Sequence, residues 1–241
     1  MKFLLQSASP EAYQDLMQLL PLEGFWTEPE MFVKDHKNVN ALLREMSEYL
    51  MDDQKICVYG LEQSFRGLVG EVKMFAEFDR HIIPVLPGTP DGYMAAKACT
   101  TLHLPVVIAD IYTPGQILIA LNNGTGPIAI SCANAQKSMG FSNMLKVVDE
   151  ILDPSQKERL ILVDVRTQEQ LYQAMACGIG AAALSPELIQ EIAVNLYSES
   201  DAANRREEWL LEYTRAEVLD LDQIRAEKRE AAAAAQKENK N

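Results

Sequence analysis

The feature that most constrains this chain is an alternation repeated along its length. Short apolar runs at residues 3–6, 24–29, 56–60, 82–86, 105–111, 127–132, 160–165 and 180–185 are separated by segments with helical spacing. The runs carry apolar residues at consecutive positions rather than at every second one, so both faces of each strand are to be buried. That is how parallel strands covered by helices read. Eight such units in 241 residues predict a single (β/α)8 TIM-type barrel, with an open doubly wound sheet as the alternative. Neither a Gly-rich dinucleotide fingerprint nor a GKS/GKT phosphate loop occurs.

The clearest unit is HIIPVLPGTPDGYMAAK, residues 81–97. An apolar run turns through Pro and Gly and enters an amphipathic helix, with Thr89 as its cap and Pro90 in its first turn. Helices are predicted over 40–51, 64–77, 114–121 and 143–152, with others opened by Ser9-Pro10-Glu11, Thr167 and Pro186. Thr167 and Gln170 have capping-box spacing, and Gly178 stops the helix they open. Residues 1–198 thus form the barrel. Residues 199–224 hold a charged helix from Asp201 with an apolar stripe of Trp209, Leu210, Leu211, Tyr213 and Leu219, which packs on its own barrel or on a neighbouring subunit. Residues 225–241 are mainly Ala, Glu and Lys, without a large apolar side chain, and are expected to be a frayed helix or disordered.

The charge balance of 22 Lys+Arg against 35 Asp+Glu gives −13. Nucleic acid and anionic membrane surfaces both need a basic patch, so neither is an expected partner. No run reaches the roughly 18 apolar residues of a membrane span, and the N-terminal apolar run is too short for a secretory signal. A cytoplasmic location is expected. Cys57, Cys99, Cys132 and Cys177 form no CxxC pair and lie in apolar surroundings, so they read as small buried hydrophobes in a reducing compartment. No metal site and no cofactor are expected.

Three motifs in register carry a resemblance. They are Pro87-x-Thr89-x-x-Gly92-x-x-Ala95-x-Lys97, Pro21-Leu22-x-Gly24-x-x-Thr27-x-Pro29 and Ile111-Tyr112-x-x-x-Gln116-x-Leu118. Over about residues 1–215 the chain resembles the transaldolase family, and its fructose-6-phosphate aldolase-like branch in particular. The resemblance implies a barrel whose fourth strand carries a Schiff-base lysine two residues before the motif's Pro87. That lysine attacks a ketose carbonyl, and the iminium serves as electron sink. Val85 stands there in this sequence. By the same alignment Gln6 replaces the acid/base aspartate of the first strand, and Thr27-Glu28 a Thr-Asn pair of the second. Tyr59 replaces a Gln, Ala109 a Thr, and Ser131 the Tyr that positions water. Asn134 replaces the Arg that grips phosphate, and Asp164 a Ser. The resemblance also implies a ring-shaped homo-oligomer, a pentamer or decamer, built partly by a C-terminal helix.

Sites in such barrels lie at the C-terminal ends of the strands. Those ends offer Glu28, Asp164 and Tyr59 as catalytic candidates. Gln6, Thr27, Asp110, Ser131, Asn134 and Arg166 are candidates for ligand binding. Glu28 and Asp164 in one cavity suit acid/base work or a hard cation, unless Arg166 neutralises them. Lys137, beyond the sixth strand, is the nearest substitute lysine and reads otherwise as solvated. Cys132 has no histidine beside it. His36, His81 and His103 fall away from the strand ends. The expected partner is a small polar metabolite. In order of preference, the chain is a non-catalytic or repurposed relative, an enzyme using acid/base chemistry on a neutral sugar or polyol, or an aldolase with a displaced lysine.

Overall fold

The computed structural model describes residues 1–33, 38–124, 126–213 and Arg225. His36, Leu219 and the tail other than Arg225 lie outside the described residues. Eight parallel strands close into a barrel in chain order: β1 (Lys2–Gln6), β2 (Gly24–Trp26), β3 (Lys55–Tyr59), β4 (Ile82–Pro87), β5 (Val107–Ile111), β6 (Ile128–Ser131), β7 (Leu160–Val165) and β8 (Ala181–Leu184). The helices are α1 (Pro10–Leu16), α2 (Pro29–Val33), α3 (Val39–Glu48), α4 (Phe65–Phe78), α5 (Pro90–Thr101), α6 (Pro114–Asn123), α7 (Cys132–Ser138), α8 (Phe141–Ile151), α9 (Pro154–Glu158), α10 (Gln168–Cys177), α11 (Pro186–Ala193) and α12 (Leu196–Glu212).

Two apolar layers explain the doubly apolar strands. Leu4, Trp26, Cys57, Val85, Val107, Ala109, Ala129, Ile161, Val163 and Ala183 pack together inside the barrel. Alternate positions such as Leu5, Phe25, Ile56, Leu86, Ile108, Ile130, Leu162 and Leu184 pack outward beneath the helices. Successive strand side chains point to opposite faces, so each strand serves both layers. Each fully buried Leu or Ile contributes about 1.5–3 kcal/mol.

The turns that lead to the site are fixed by side-chain caps. Ser64, Thr89, Thr113 and Thr167 accept from the backbone amides of Gly67, Gly92, Gln116 and Gln170. Gly92 allows α5 to start against β4, because a Cβ there would sit 1.9 Å from the Pro87 carbonyl oxygen. Gly24 opens β2 at φ +132°, a backbone conformation that L side chains rarely adopt.

Several elements differ from the sequence expectation. The run read over 24–29 as a strand entering a loop is strand only to Trp26, and Pro29 already opens α2. The short helices α7 and α9 have too few apolar residues to show a stripe. Gln170 does not close a box on Thr167; its Oε1 accepts from the Arg166 amide at 2.9 Å instead. The helix expected over 114–121 runs on through Asn122 and Asn123, whose side-chain amides donate back to the Leu118 and Ile119 carbonyls.

Compact units divide after Ala193. Taken by itself, α12 starts at Leu196 behind an Asn195 cap, earlier than the expected Asp201. Its Trp209, Leu210, Leu211 and Tyr213 are all exposed. No helix among the described residues is long and apolar enough to cross a membrane.

Candidate active site

The C-terminal ends of β1, β2, β3, β5, β6 and β7 bring a polar group of side chains to one mouth. At its centre is Gln6, the last residue of β1. Its Nε2 donates to Glu28 Oε1 at 2.9 Å and to Asp164 Oδ1 at 3.1 Å. Its Oε1 accepts from the Asp164 backbone amide at 3.2 Å. Ser131, ending β6, donates its hydroxyl to Asp164 Oδ2 while accepting from the Asn134 amide at the start of α7. Glu28, just past β2, and Asp164, on β7, therefore share a single amide donor from β1, which lies between them in the barrel.

Two of the carboxylates arrive by the same backbone device. Asp110 and Asp164 have φ of +58° and +56°, although neither is glycine. Strand register shifts across each, between Ile108 and Ile111 and between Leu162 and Val165. Ala109 and Val163 face the interior layer, so strict alternation would send the next residue outward. The irregularity turns the aspartate back toward the mouth and restores Ile111 and Val165 to the outer layer. Asp tolerates the left-handed region better than most residues.

The two segments also match in sequence, as Ile108-Ala-Asp-Ile-Tyr-Thr-Pro-Gly-Gln116 and Leu162-Val-Asp-Val-Arg-Thr-Gln-Glu-Gln170. In both, the Thr caps the following helix and the Gln accepts backbone amides at the strand end, from Tyr112 and Thr113 in one and Arg166 in the other. This internal repeat is the sequence signal that marks the pair.

The electrostatics are one-sided. Burial raises the Glu28 pKa first, the Asp164 charge raises it further, and the Gln6 bond offsets part of the rise. Asp110 reaches solvent at the rim, yet partial burial and then Asp164 raise its pKa as well. The Tyr59 hydroxyl is pushed far up by burial, then by Asp110, Glu28 and Asp164. Tyr59 stands edge-on to Trp26 with ring centroids 5.9 Å apart. Among the described residues no Lys, Arg or His forms an ion pair with Glu28, Asp110 or Asp164. The Asp164–Arg166 pair that the sequence allows does not form, and Arg166 is exposed.

Other candidates fall elsewhere. Thr27 is fully buried, and its hydroxyl and amide both donate to the Cys57 carbonyl, at 2.8 and 3.0 Å. That bonding pins β2 to β3 and leaves Thr27 away from the mouth. Asn134 contributes its backbone amide to the Ser131 cap, on the first turn of α7. Lys137 is exposed on the same helix. Burial and then Asp164 push the Cys132 thiol up to about 12, so it stays protonated and unreactive. His81 is buried at the opposite end, bonded through Nδ1 to the Gln54 carbonyl at 2.9 Å. Val85 is fully buried in the interior layer, between Tyr59 and Val107 in register.

Trp26 goes unnoticed in the sequence. It is fully buried, and its indole Nε1 has no hydrogen-bond partner. The acceptor it faces is the Glu28 carboxyl, whose pKa a side-chain hydrogen bond from Trp26 lowers, the least of the influences on that group. A groove of about 360 Å³ leads out from Gln6 and Asp164, past Met31, Arg166 and Ser185, to Glu187, Leu188 and Glu191 of α11. That lies at the lower end of small-molecule pockets, about 300–1,000 Å³. No three His, Cys, Asp or Glu side chains among the described residues converge as metal ligands.

No protein-family model matches the chain. It is 22% identical over 224 residues to a probable transaldolase of Nitrosopumilus maritimus, covering 92% of this chain and 99% of that one. A probable transaldolase of Geobacter sulfurreducens is 22% identical over 213 residues, covering 87% and 98%. One from Aquifex aeolicus is 24% identical over 151 residues, covering 63% and 68%. These similarities, full-length in the first two, support a relationship to the transaldolase family.

Proposed function

We propose that this transaldolase-related barrel is a repurposed relative that binds a small polar metabolite at its mouth without forming a lysine Schiff base. The observation that carries the proposal is Val85. The resemblance puts the reactive lysine at this position, and here it is an alkyl side chain buried in the interior layer. Valine offers no amine to attack a carbonyl. Among the described residues lining the groove the only cation is Arg166, and Asn134, at the phosphate-gripping position of the resemblance, is neutral. An Arg fork is the strong way to hold a phosphate, so the ligand is unphosphorylated. A thermal-shift panel of sugars, polyols and their phosphate esters tests this. Stabilisation by unphosphorylated compounds supports it, and stabilisation confined to the esters overturns it.

Acid/base catalysis on such a ligand is the alternative, favoured by one specific observation. Glu28 and Asp164 share a donor but not an environment: burial and its neighbour raise Glu28, while Asp164 accepts from both Gln6 and Ser131. Two carboxyl groups set apart in this way can divide acid and base roles, with Tyr59 close to both. Turnover of a bound polyol, lost in Glu28→Gln, would select this reading over plain binding. The displaced-lysine aldolase would have to rely on Lys137, since the described groove residues include no lysine.

A further inference from the structure

We infer that the cleft between α3 and α4, at the end of the barrel opposite the mouth, binds a free α-amino acid, with its ammonium at His81 Nε2 and Glu77 and its carboxylate at Arg44. This site is separate from the ligand-binding proposal above and does not rest on it.

The first observation is a buried imidazole with one nitrogen left over. His81 is 6% exposed and sits on the turn from α4 into β4. Its Nδ1 lies 2.9 Å from the Gln54 carbonyl oxygen. A carbonyl only accepts, so Nδ1 carries the proton and the neutral ring presents Nε2 as an acceptor. Among the described residues nothing donates to Nε2. That nitrogen is not sealed in either, since the enclosed side-chain atoms without a partner are Trp26 Nε1 and the Tyr93 hydroxyl. The two ring nitrogens face away from each other. With Nδ1 turned to Gln54, just ahead of β3, Nε2 opens on the cleft that His81 lines.

The second observation is a set of unused charges of both signs around that lone pair. The cleft is about 570 Å³, with Arg44 and Glu48 of α3 facing Glu77 of α4. The nearby Asp79 and Arg80 are engaged: Asp79 Oδ1 accepts the His81 amide at 2.8 Å, and Arg80 pairs with Asp52. Arg44, Glu48 and Glu77 have no ion pair among the described residues. Arg44 Cζ stands 4.8 Å over the Phe78 ring. That contact holds the guanidinium on the cleft wall without supplying an acceptor for its N–H fork.

These groups select a ligand by its charges. A guanidinium fork takes a carboxylate bidentately. A lone pair with carboxylates beside it takes an ammonium, which has three donors. A simple anion would meet Glu48 and Glu77, and a simple cation would meet Arg44, so the combination fits a zwitterion. An α-amino acid carries both charges on one carbon, and the apolar surfaces of Phe78 and Ala76 suit its side chain. A metal ion at Nε2 would lack ligands, because no three His, Cys, Asp or Glu side chains converge among the described residues.

Calorimetric titration of the full chain at fixed pH and ionic strength tests this with L-alanine, L-leucine and L-phenylalanine. Each is compared with the hydroxy acid and the amine of the same skeleton: lactate and ethylamine, 2-hydroxyisocaproate and isoamylamine, phenyllactate and phenethylamine. We expect at least one amino acid to bind tenfold or more tighter than both of its analogues, about 1.4 kcal/mol. Arg44→Lys keeps the charge but loses the fork. His81→Asn keeps a donor for the Gln54 carbonyl but removes Nε2. Each should weaken binding of that amino acid severalfold, whereas Asp164→Asn, at the mouth, should not. No binding by any of the three amino acids, an analogue binding as tightly, an affinity unchanged in both cleft variants, or an affinity lost in Asp164→Asn would each overturn the inference. If His81→Asn fails to fold, Arg44→Lys and Glu77→Gln decide.

Discussion

Gln6 and Asp164 are bonded to each other twice. The Gln6 amide nitrogen donates to the Asp164 carboxylate at 3.1 Å, and the Gln6 oxygen accepts from the Asp164 backbone amide at 3.2 Å. The two residues end β1 and close on β7, with β8 lying between them in the barrel. One side chain thus spans a strand it does not belong to, and it fixes both the backbone turn and the carboxylate at its far end.

Gln6→Leu should therefore destabilise more than loss of one surface hydrogen bond. It strips a donor from two half-buried carboxylates and an acceptor from the Asp164 amide, a loss of about 1–3 kcal/mol. Denaturant midpoints measure it. Combined with Asp164→Asn, the effects should be non-additive, because both act on one network. A change within about 0.5 kcal/mol, the range of ordinary surface substitutions, would show that the network does not hold the site.

Glu28 sets a pH dependence with a definite sign. Its native pKa is raised above the ordinary value of 4.5, mainly by burial and by Asp164. The folded state therefore keeps a proton that the unfolded chain has released. The associated stability is fully present below 4.5 and is lost as pH rises through the raised native value. Glu28→Gln removes this loss. The melting temperature of the variant relative to the parent should climb as pH goes from about 4 to about 7. A gap that stays flat across that interval would contradict the shift.

No borohydride-trapped adduct should form with dihydroxyacetone or fructose 6-phosphate, because Val85 supplies no amine. Mass spectrometry after reduction reads this directly. A stoichiometric adduct on a single lysine would sink the Schiff-base-free proposal, and peptide mapping would then say whether Lys137 carries it.

Two glycines should respond in opposite ways to alanine. In Gly92→Ala the new Cβ meets the Pro87 carbonyl oxygen at 1.9 Å, so α5 has to move away from β4. A loss of about 4 kcal/mol or more is expected. Gly70 lies inside α4 with nothing within 4 Å of an added Cβ, and Gly70→Ala should stabilise by about 0.5–1 kcal/mol. Thermal unfolding of both variants checks the contrast.

Assembly is proposed from the resemblance and from the exposed apolar side chains of α12. Truncation after Ser198 should lower the oligomeric state seen by light scattering, whereas truncation after Arg225 should not. A monomeric full-length chain would rule this out.

The barrel is legible because each strand is buried on both faces, which writes apolar residues at every position instead of every other one. Residues 105–111 and 160–165 show it most plainly, with β-branched side chains recurring along both. The helices α7 and α9 are not legible, since a helix of five or seven residues needs a cap more than a stripe. The cluster of Gln6, Glu28, Tyr59, Ser131 and Asp164 emerges from strand ends sharing one mouth. Thr27 sits beside Glu28 in sequence, but strand alternation and a bond to the Cys57 carbonyl take it away from the site. Trp26 escapes because an indole in an apolar run reads as core, and only its unpartnered N–H sets it apart.

The left-handed aspartates also limit how this mouth can change over time. With φ near +58° and +56°, positions 110 and 164 accept Asn or Gly readily, while most other side chains cost about 1–2 kcal/mol there. Ala109 and Val163 can keep filling the interior whichever residue comes next in the chain. Evolutionary drift at the two sites is thus confined to a narrow alphabet in which charge can vanish but bulk can hardly be added. A saturation library should show the same asymmetry: amide and glycine survivors at 110 and 164, and a far wider set at the exposed neighbours Tyr112 and Arg166.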